Sequence, residues 1–151
     1  MNDLIVRIAD DHDIDNIAGL FDLYRQFYGQ ESDCVLAYEF IKNRIEREEF
    51  VVFLAMEKGV SIGFCQLYPS FCSVDAMPIY ILYDLYVKPE YRKHGVARKL
   101  MLAAEEHAIK SGKKRLELST AKNNHSAQKL YESLGWVKDE VFLCYSRDVK
   151  G

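Results

Sequence analysis

The segment Lys88-Pro89-Glu90-Tyr91-Arg92-Lys93-His94-Gly95-Val96-Ala97-Arg98-Lys99 sets five Lys or Arg against one Glu, a local charge of +4 in a chain whose formal net charge is −3. It lies where an apolar, strand-like run ends and a helical pattern begins. A helix start presents unpaired N–H groups and the positive end of a dipole to an anion. Gly95 can take a positive φ, which lets successive amides turn inward with no Cβ in the way. Phosphate is the natural guest of such a loop; the alternative is a solvated basic loop with a turn glycine. The glycines stand at 19, 29, 59, 63, 95, 112, 135 and 151, so neither GxGxxG nor GxxxxGKS/T occurs. A nicotinamide dehydrogenase of the usual type and a P-loop kinase lose their main sequence support.

Other chemistry-bearing residue types are less informative. The histidines form no HxxxH or HExxH pattern, and Cys34, Cys65, Cys72 and Cys144 form no CxxC pair, so no metal site is expected. Reduced, mostly buried thiols are expected instead. The 151 residues, 49% hydrophobic and 28% charged, suit one globular domain spanning 1–151 rather than a disordered chain. The small negative net charge leaves no broad positive field for nucleic acid. No apolar run approaches membrane-spanning length, and the start of the chain lacks the pattern of a secretory signal. A soluble, cytoplasmic protein is expected.

The elements that must position the basic loop follow from periodicity. Leu4 to Ala9 reads as a strand. Asp13 caps a helix with Ile14, Ile17, Phe21, Tyr24 and Tyr28 on one face, ended by Gly29. A second helical pattern runs from about Leu36 to Glu48. Phe50 to Glu57 and Ile62 to Tyr68 form a hairpin about Lys58-Gly59. Pro69 and Pro78 bracket a loop, and Ile79 to Val87 is a strand buried on both faces. Alternation sets Tyr80, Leu82, Asp84 and Tyr86 on one face of it. A helix carrying Ala97, Leu100, Met101, Ala104 and Ala108 follows, then a strand at Leu116 to Ser119. A short helix with Ala127, Leu130, Tyr131 and Leu134 precedes two closing strands, around Trp136 and at Val141 to Ser146. The expected order is β-α-α-β-β-β-α-β-α-β-β.

Leu85-Tyr86-Val87-Lys88-Pro89-Glu90-Tyr91-Arg92-Lys93-His94-Gly95-Val96-Ala97 resembles the acetyl-CoA motif of the GCN5-related N-acetyltransferases (GNAT), R/Q-x-x-G-x-G/A, with Arg92, Gly95 and Ala97 in its fixed places. Downstream, Asn124-His125-Ser126-Ala127, Leu130-Tyr131 and Gly135-Trp136 resemble the family's second motif. Ala97 stands where many members have glycine, and Trp136 where phenylalanine is usual. Tyr24 to Tyr28, Leu67 to Phe71 and Asp84-Leu85 are similar to a subgroup acting on small amines and amino acids.

The resemblance implies the α/β (α+β) GNAT fold, a single mixed, mostly antiparallel twisted sheet of about seven strands flanked by four helices. It implies direct transfer of an acetyl group from acetyl-CoA (coenzyme A) to a primary amine, polyamine or amino acid in type, by a homodimer. The alternatives are a protein lysine or N-terminal acetyltransferase and a non-catalytic acyl-CoA sensor. Cofactor binding falls to the strand edge at Leu85, Tyr86 and Val87, to the loop residues Arg92, Lys93, His94, Gly95, Val96, Ala97 and Arg98, and to Asn124 and Tyr131. Tyr131 is the expected acid toward the leaving thiolate, or else a core aromatic of its helix stripe. Asp84 interrupts an apolar strand, where burial would raise its pKa toward that of a usable base, direct or through water; the alternative is a structural Asp bonded to loop backbone. Phe27, Tyr28, Glu31, Asp33, Tyr38 and Asp84 are candidates to hold the amine through aromatic faces and carboxylates, or, for the aromatics, core residues.

Overall fold

The computed structural model describes residues 3–149. Five strands, β1 (Leu4–Ile8), β2 (Val51–Glu57), β3 (Val60–Cys72), β4 (Met77–Val87) and β5 (Arg115–Glu117), form one sheet in the order β1-β2-β3-β4-β5. Neighbours through β4 are antiparallel, and β5 joins β4 in parallel. The helices are α1 (Ile14–Phe27), α2 (Cys34–Glu46), α3 (Val96–Lys110) and α4 (His125–Ser133). The chain divides into two compact units, Met1–Ser119 with the sheet and α1 to α3, and Thr120–Gly151 with α4.

Each element has a local cause. Asp10 caps the turn before α1, and the buried Asp13 carboxylate accepts from the Asp10 amide at 2.9 Å and from the Arg7 guanidinium at 2.8 and 2.9 Å. Arg7 holds that carboxyl below the usual carboxylate range. The buried Asp22 of α1 accepts from Ser32 Oγ at 2.7 Å and from the Asp33 amide at 2.8 Å, so a carboxylate within the helix shapes the connection to α2. Lys58 and Gly59, at φ of 50° and 78°, make the β2–β3 hairpin turn, which needs two successive positive values.

The core lies against both faces of the sheet. Ile17, Leu20 and Phe21 of α1 and Ala37 and Ile41 of α2 pack with Val52, Leu54, Phe64 and Tyr86. On the other face His107 of α3 meets Phe53 and Tyr80, with ring centroids 5.6 and 5.8 Å apart.

Three expectations require correction. The sheet has five strands rather than about seven, and among the described residues none after Ser133 is in a helix or strand, so the order ends β-α without the two closing strands. Apolar alternation at Val141 to Ser146 expresses strand propensity, but a strand is defined by its ladder partner. Pro69 and Pro78 do not bracket a loop: both lie within strands, Pro69 opposite Tyr80 and Pro78 opposite Phe71. The β2 ladder ends at Leu67, so Pro69 stands where one edge of β3 is unpaired and its missing N–H costs nothing there. Of the four cysteines, all free, Cys65 alone is buried. Among the described residues no helix is long and apolar enough to cross a membrane.

The backbones of β3 and β4 approach closely at Gly63, where a Cβ would lie 2.8 Å from the Tyr86 carbonyl oxygen. Gly63→Ala is expected to destabilise by about 1–3 kcal/mol as β3 and β4 move apart. Gly19→Ala, in open helical surroundings, is expected to stabilise by about 0.4–1 kcal/mol. Urea denaturation of the two variants checks the contrast.

Candidate functional site

The β3–β4 ladder skips a residue. Gln66 pairs with Asp84 and Leu67 with Leu82, leaving Tyr83 as the extra residue of a β-bulge. Cross-strand partners share a face, so Leu82 goes with Leu67 and Asp84 with Gln66, on opposite sides. The single face expected for Tyr80, Leu82, Asp84 and Tyr86 is thereby corrected: the bulge turns the second half of the strand over. Tyr86 packs in the α1–α2 core while Tyr80 stacks on His107 of α3, as that reversal requires.

Asp84 is 4% exposed. Gln66 Nε2 donates to its Oδ2, and the Tyr24 hydroxyl, 3.5 Å from the Tyr83 carbonyl, also bonds the carboxylate. Burial outweighs both bonds and raises the Asp84 pKa above the ordinary carboxylate range. Burial and the nearby Asp84 charge push the Tyr24 and Tyr68 hydroxyls up, so both stay protonated.

Asp84 borders a cavity of about 260 Å³ between α1, α2 and the sheet. Phe21, Tyr24, Tyr28, Phe40, Tyr68 and Tyr83 give it aromatic walls, and Arg25 and Gln30 complete the lining. Of the residues expected to hold an amine, Tyr28 and Asp84 line this cavity. Asp33 instead caps α2, accepting from the Leu36 amide at 3.0 Å, Tyr38 packs on the core, and Glu31 is exposed outside the lining. Phe27 turns toward Tyr86 and lies beneath the Arg92 guanidinium. Tyr24, Arg25 and Tyr68 were legible as parts of a helix and a strand and as members of the segments similar to the small-amine subgroup, but not as walls of one cavity.

On the opposite edge of β4, β5 pairs only with Ile79 to Ile81. The Lys88 amide donates to the Ile62 carbonyl at 2.9 Å. Antiparallel alternation then aims the hydrogen-bonding groups of Tyr86 at β3 and those of Leu85 and Val87 at the edge past the end of β5. The Val87 carbonyl accepts from Arg92 Nε at 2.7 Å, in agreement. The Arg92 guanidinium, 5.4 Å from the Phe27 centroid and 5.3 Å from that of Tyr86, anchors the following loop to the strand.

That loop contains Lys93 at φ 66° and Gly95 at φ 81°, and α3 begins immediately after it. Two left-handed residues so close together curve the backbone into a concavity of amides. The amides of Val96 and Ala97 open α3, where no intrahelical acceptor exists. A Cβ on Gly95 would meet nothing within 4 Å, so the space above it is free for a ligand. Lys93, His94 and Arg98 are exposed around it. Outward strand amides beside an anion-accepting loop fit a ligand with amides at one end and phosphates at the other, as coenzyme A has.

In the second unit Asn124 Oδ1 accepts from the Ala127 amide at 3.3 Å and caps α4. Tyr131 lies on that helix with its ring centroid 6.2 Å from that of Trp136.

Comparison with known proteins bears on these features together. A profile of the Acetyltransferase (GNAT) family matches residues 17–136. An uncharacterized N-acetyltransferase, YhfO, of Bacillus subtilis (strain 168) is 44% identical over 144 residues, covering 95% of this chain and 97% of that protein. The crystal structure of a probable acetyltransferase superposes with a TM-score of 0.90 at 36% identity, covering 97% of this chain and 99% of that one. The aminoglycoside N-acetyltransferase AAC(6')-Iy, solved in complex with CoA, shares the fold at a TM-score of 0.82 and 22% identity, covering 99% of this chain and 97% of that one. The chain thus belongs to the GNAT acetyltransferase family and is an N-acetyltransferase.

Proposed function

We propose that this enzyme transfers an acetyl group from acetyl-CoA to the primary amine of a small molecule. The observation that carries the reading is the β4 bulge, which aims the Leu85 and Val87 amides at one edge while Asp84 borders the cavity. Coenzyme A in the AAC(6')-Iy complex supports the choice of cofactor. A small cavity with aromatic walls suits a small acceptor better than a protein tail.

When bound, acetyl-CoA supplies a thioester carbonyl for the amine to attack and a thiolate to leave. Leu85 and Val87 hydrogen-bond along the strand edge, and the Val87 N–H polarises a carbonyl set beside it. Amides from Arg92 to Arg98 hold the diphosphate, with Lys93, His94 and Arg98 adding positive charge around it. An amine of pKa about 10.4 is neutral in only one molecule in a few thousand at pH 7, a deficit of roughly 4–5 kcal/mol. Asp84, with its raised pKa, takes that proton on its carboxylate, directly or through water. The resemblance assigns the return of a proton to sulfur to the Tyr131 hydroxyl and a place beside the cofactor to Asn124. The homodimer is an expectation of the resemblance alone.

Thiol release from acetyl-CoA, screened over amines, amino acids and a lysine peptide, tests the reading; release with the peptide alone would favour a protein acetyltransferase, and none at all a sensor. Because a base must be ionised to act, kcat/KM is expected to rise with pH through the elevated Asp84 pKa. Asp84→Asn is expected to remove that limb and lower kcat/KM about 10²–10⁴-fold; an unchanged pH profile would exclude Asp84 as the base. Tyr131→Phe is expected to lower kcat by about tenfold or less, since a thiol of pKa about 8.5 already leaves well; no change in kcat would remove its acid role. Gly95→Val is expected to abolish acetyl-CoA binding in calorimetry while circular dichroism shows a folded protein. Its local strain, about 1–2 kcal/mol at positive φ, is survivable, and retained affinity would place the diphosphate elsewhere.

A further inference from the structure

We propose that the acceptor is a zwitterion, an amine that also carries a carboxylate, and that Arg25 binds the carboxylate. This rests on acetyl transfer at the same cavity and names its substrate class. Two lining residues carry formal charge, Asp84 and Arg25. A pocket with one acid and one base, set among aromatic walls, matches a small molecule with one charge of each sign and an apolar body.

Among the described residues, Arg25 is the arginine with a buried side-chain nitrogen that has no partner. Arg7 pairs with Asp13, Arg44 with Glu49, and Arg115 with Asp75 and Glu117, while Arg92 bonds the Val87 carbonyl. Arg25 sits in the last turn of α1, and its Nη1 is buried with no hydrogen-bond partner among the described residues. A cationic N–H shut away from water without an acceptor is expensive. Asp84 does not relieve it, being engaged by Gln66 and Tyr24. A ligand carboxylate at the cavity wall draws the guanidinium toward it and relieves that cost by charge-assisted bonds, the planar fork matching two carboxylate oxygens at once. The amine end of the same ligand then lies toward Asp84, where the proton must be taken.

The arrangement also selects against other acceptors. A polyamine brings a second positive charge against Arg25 with no acid to receive it, a like-charge contact that excludes wrong ligands. The substrate class named for the aminoglycoside N-acetyltransferase of similar fold is therefore not expected here.

The test uses matched pairs that differ only in the carboxylate: L-phenylalanine with phenethylamine, L-methionine with 3-(methylthio)propylamine, and L-lysine with cadaverine. Thiol release from acetyl-CoA is measured for each, with wild type, Arg25→Gln and Arg25→Lys. For the best acid, wild-type kcat/KM is expected to exceed that of its decarboxylated partner at least tenfold, mostly through KM. Arg25→Gln is expected to collapse that ratio toward one and Arg25→Lys to restore part of it. The proposal is overturned if every amine matches or exceeds its acid, or if Arg25→Gln lowers both members of a pair alike. The wild-type ratio decides the matter even if the variants fail to fold. Should no compound be acetylated, acetyl transfer is what has failed, and calorimetric titration of each pair into the wild-type protein decides the rest. Tighter binding of the acid sustains the carboxylate site, and equal or absent binding removes it.

Discussion

One inserted residue in β4 carries the architecture of the site. An uninterrupted ladder would have set Asp84 on the α3 side with Tyr80 and Leu82. With Tyr83 bulged out, β4 reverses the faces its side chains address, and Asp84 and Tyr86 turn toward α1 and α2. The same strand then presents a carboxylate to a cavity and its Leu85 and Val87 amides to an edge left open past the short β5. Bulges bend a strand and loosen its pairing, and here the bend falls just before Leu85 and Val87, whose backbone groups face the edge past the end of β5.

The loop after β4 depends on that edge. Arg92 ties the loop to the Val87 carbonyl and lies over Phe27 and Tyr86, so helix α1, the end of β4 and the start of α3 are held by one guanidinium. Its charge is spent on structure, and the exposed Lys93, His94 and Arg98 carry the positive field outward. Lys93 in a left-handed conformation is a strained choice for a residue with a Cβ. Such strain persists where the surroundings over-determine the backbone, and the anchor at Arg92 together with the helix start at Gly95 does so.

Electrostatics divides the cavity in two. Burial makes the Asp84 carboxylate costly to ionise and the Arg25 guanidinium costly to leave unpartnered, and neither satisfies the other. The proposed zwitterion, carrying both charges, would resolve both costs. The hydroxyls of Tyr24 and Tyr68 stay protonated beside Asp84, so they remain hydrogen-bond donors there.

Much of this was legible in local sequence. The helices, the β2–β3 hairpin, the basic loop and the family all followed from periodicity, turn residues and two spaced motifs, because each depends on neighbours a few positions apart. The side of the sheet that Asp84 faces was not legible, since alternation is the best local rule and a bulge appears only when two strands are set in register. Pro69 and Pro78 misled for the same reason: whether a missing N–H matters depends on which edge has a partner. Tyr24 and Arg25 looked like one more turn of an amphipathic helix, and only the packing of α1 against α2 and β4 made them cavity walls. Sequence by itself determined the family and the basic, glycine-bearing loop after β4, which are written in contiguous residues. The tertiary structure decided the cavity beside Asp84, because its charges and walls come from segments some sixty residues apart, as Tyr24 and Tyr83 are, brought together by folding.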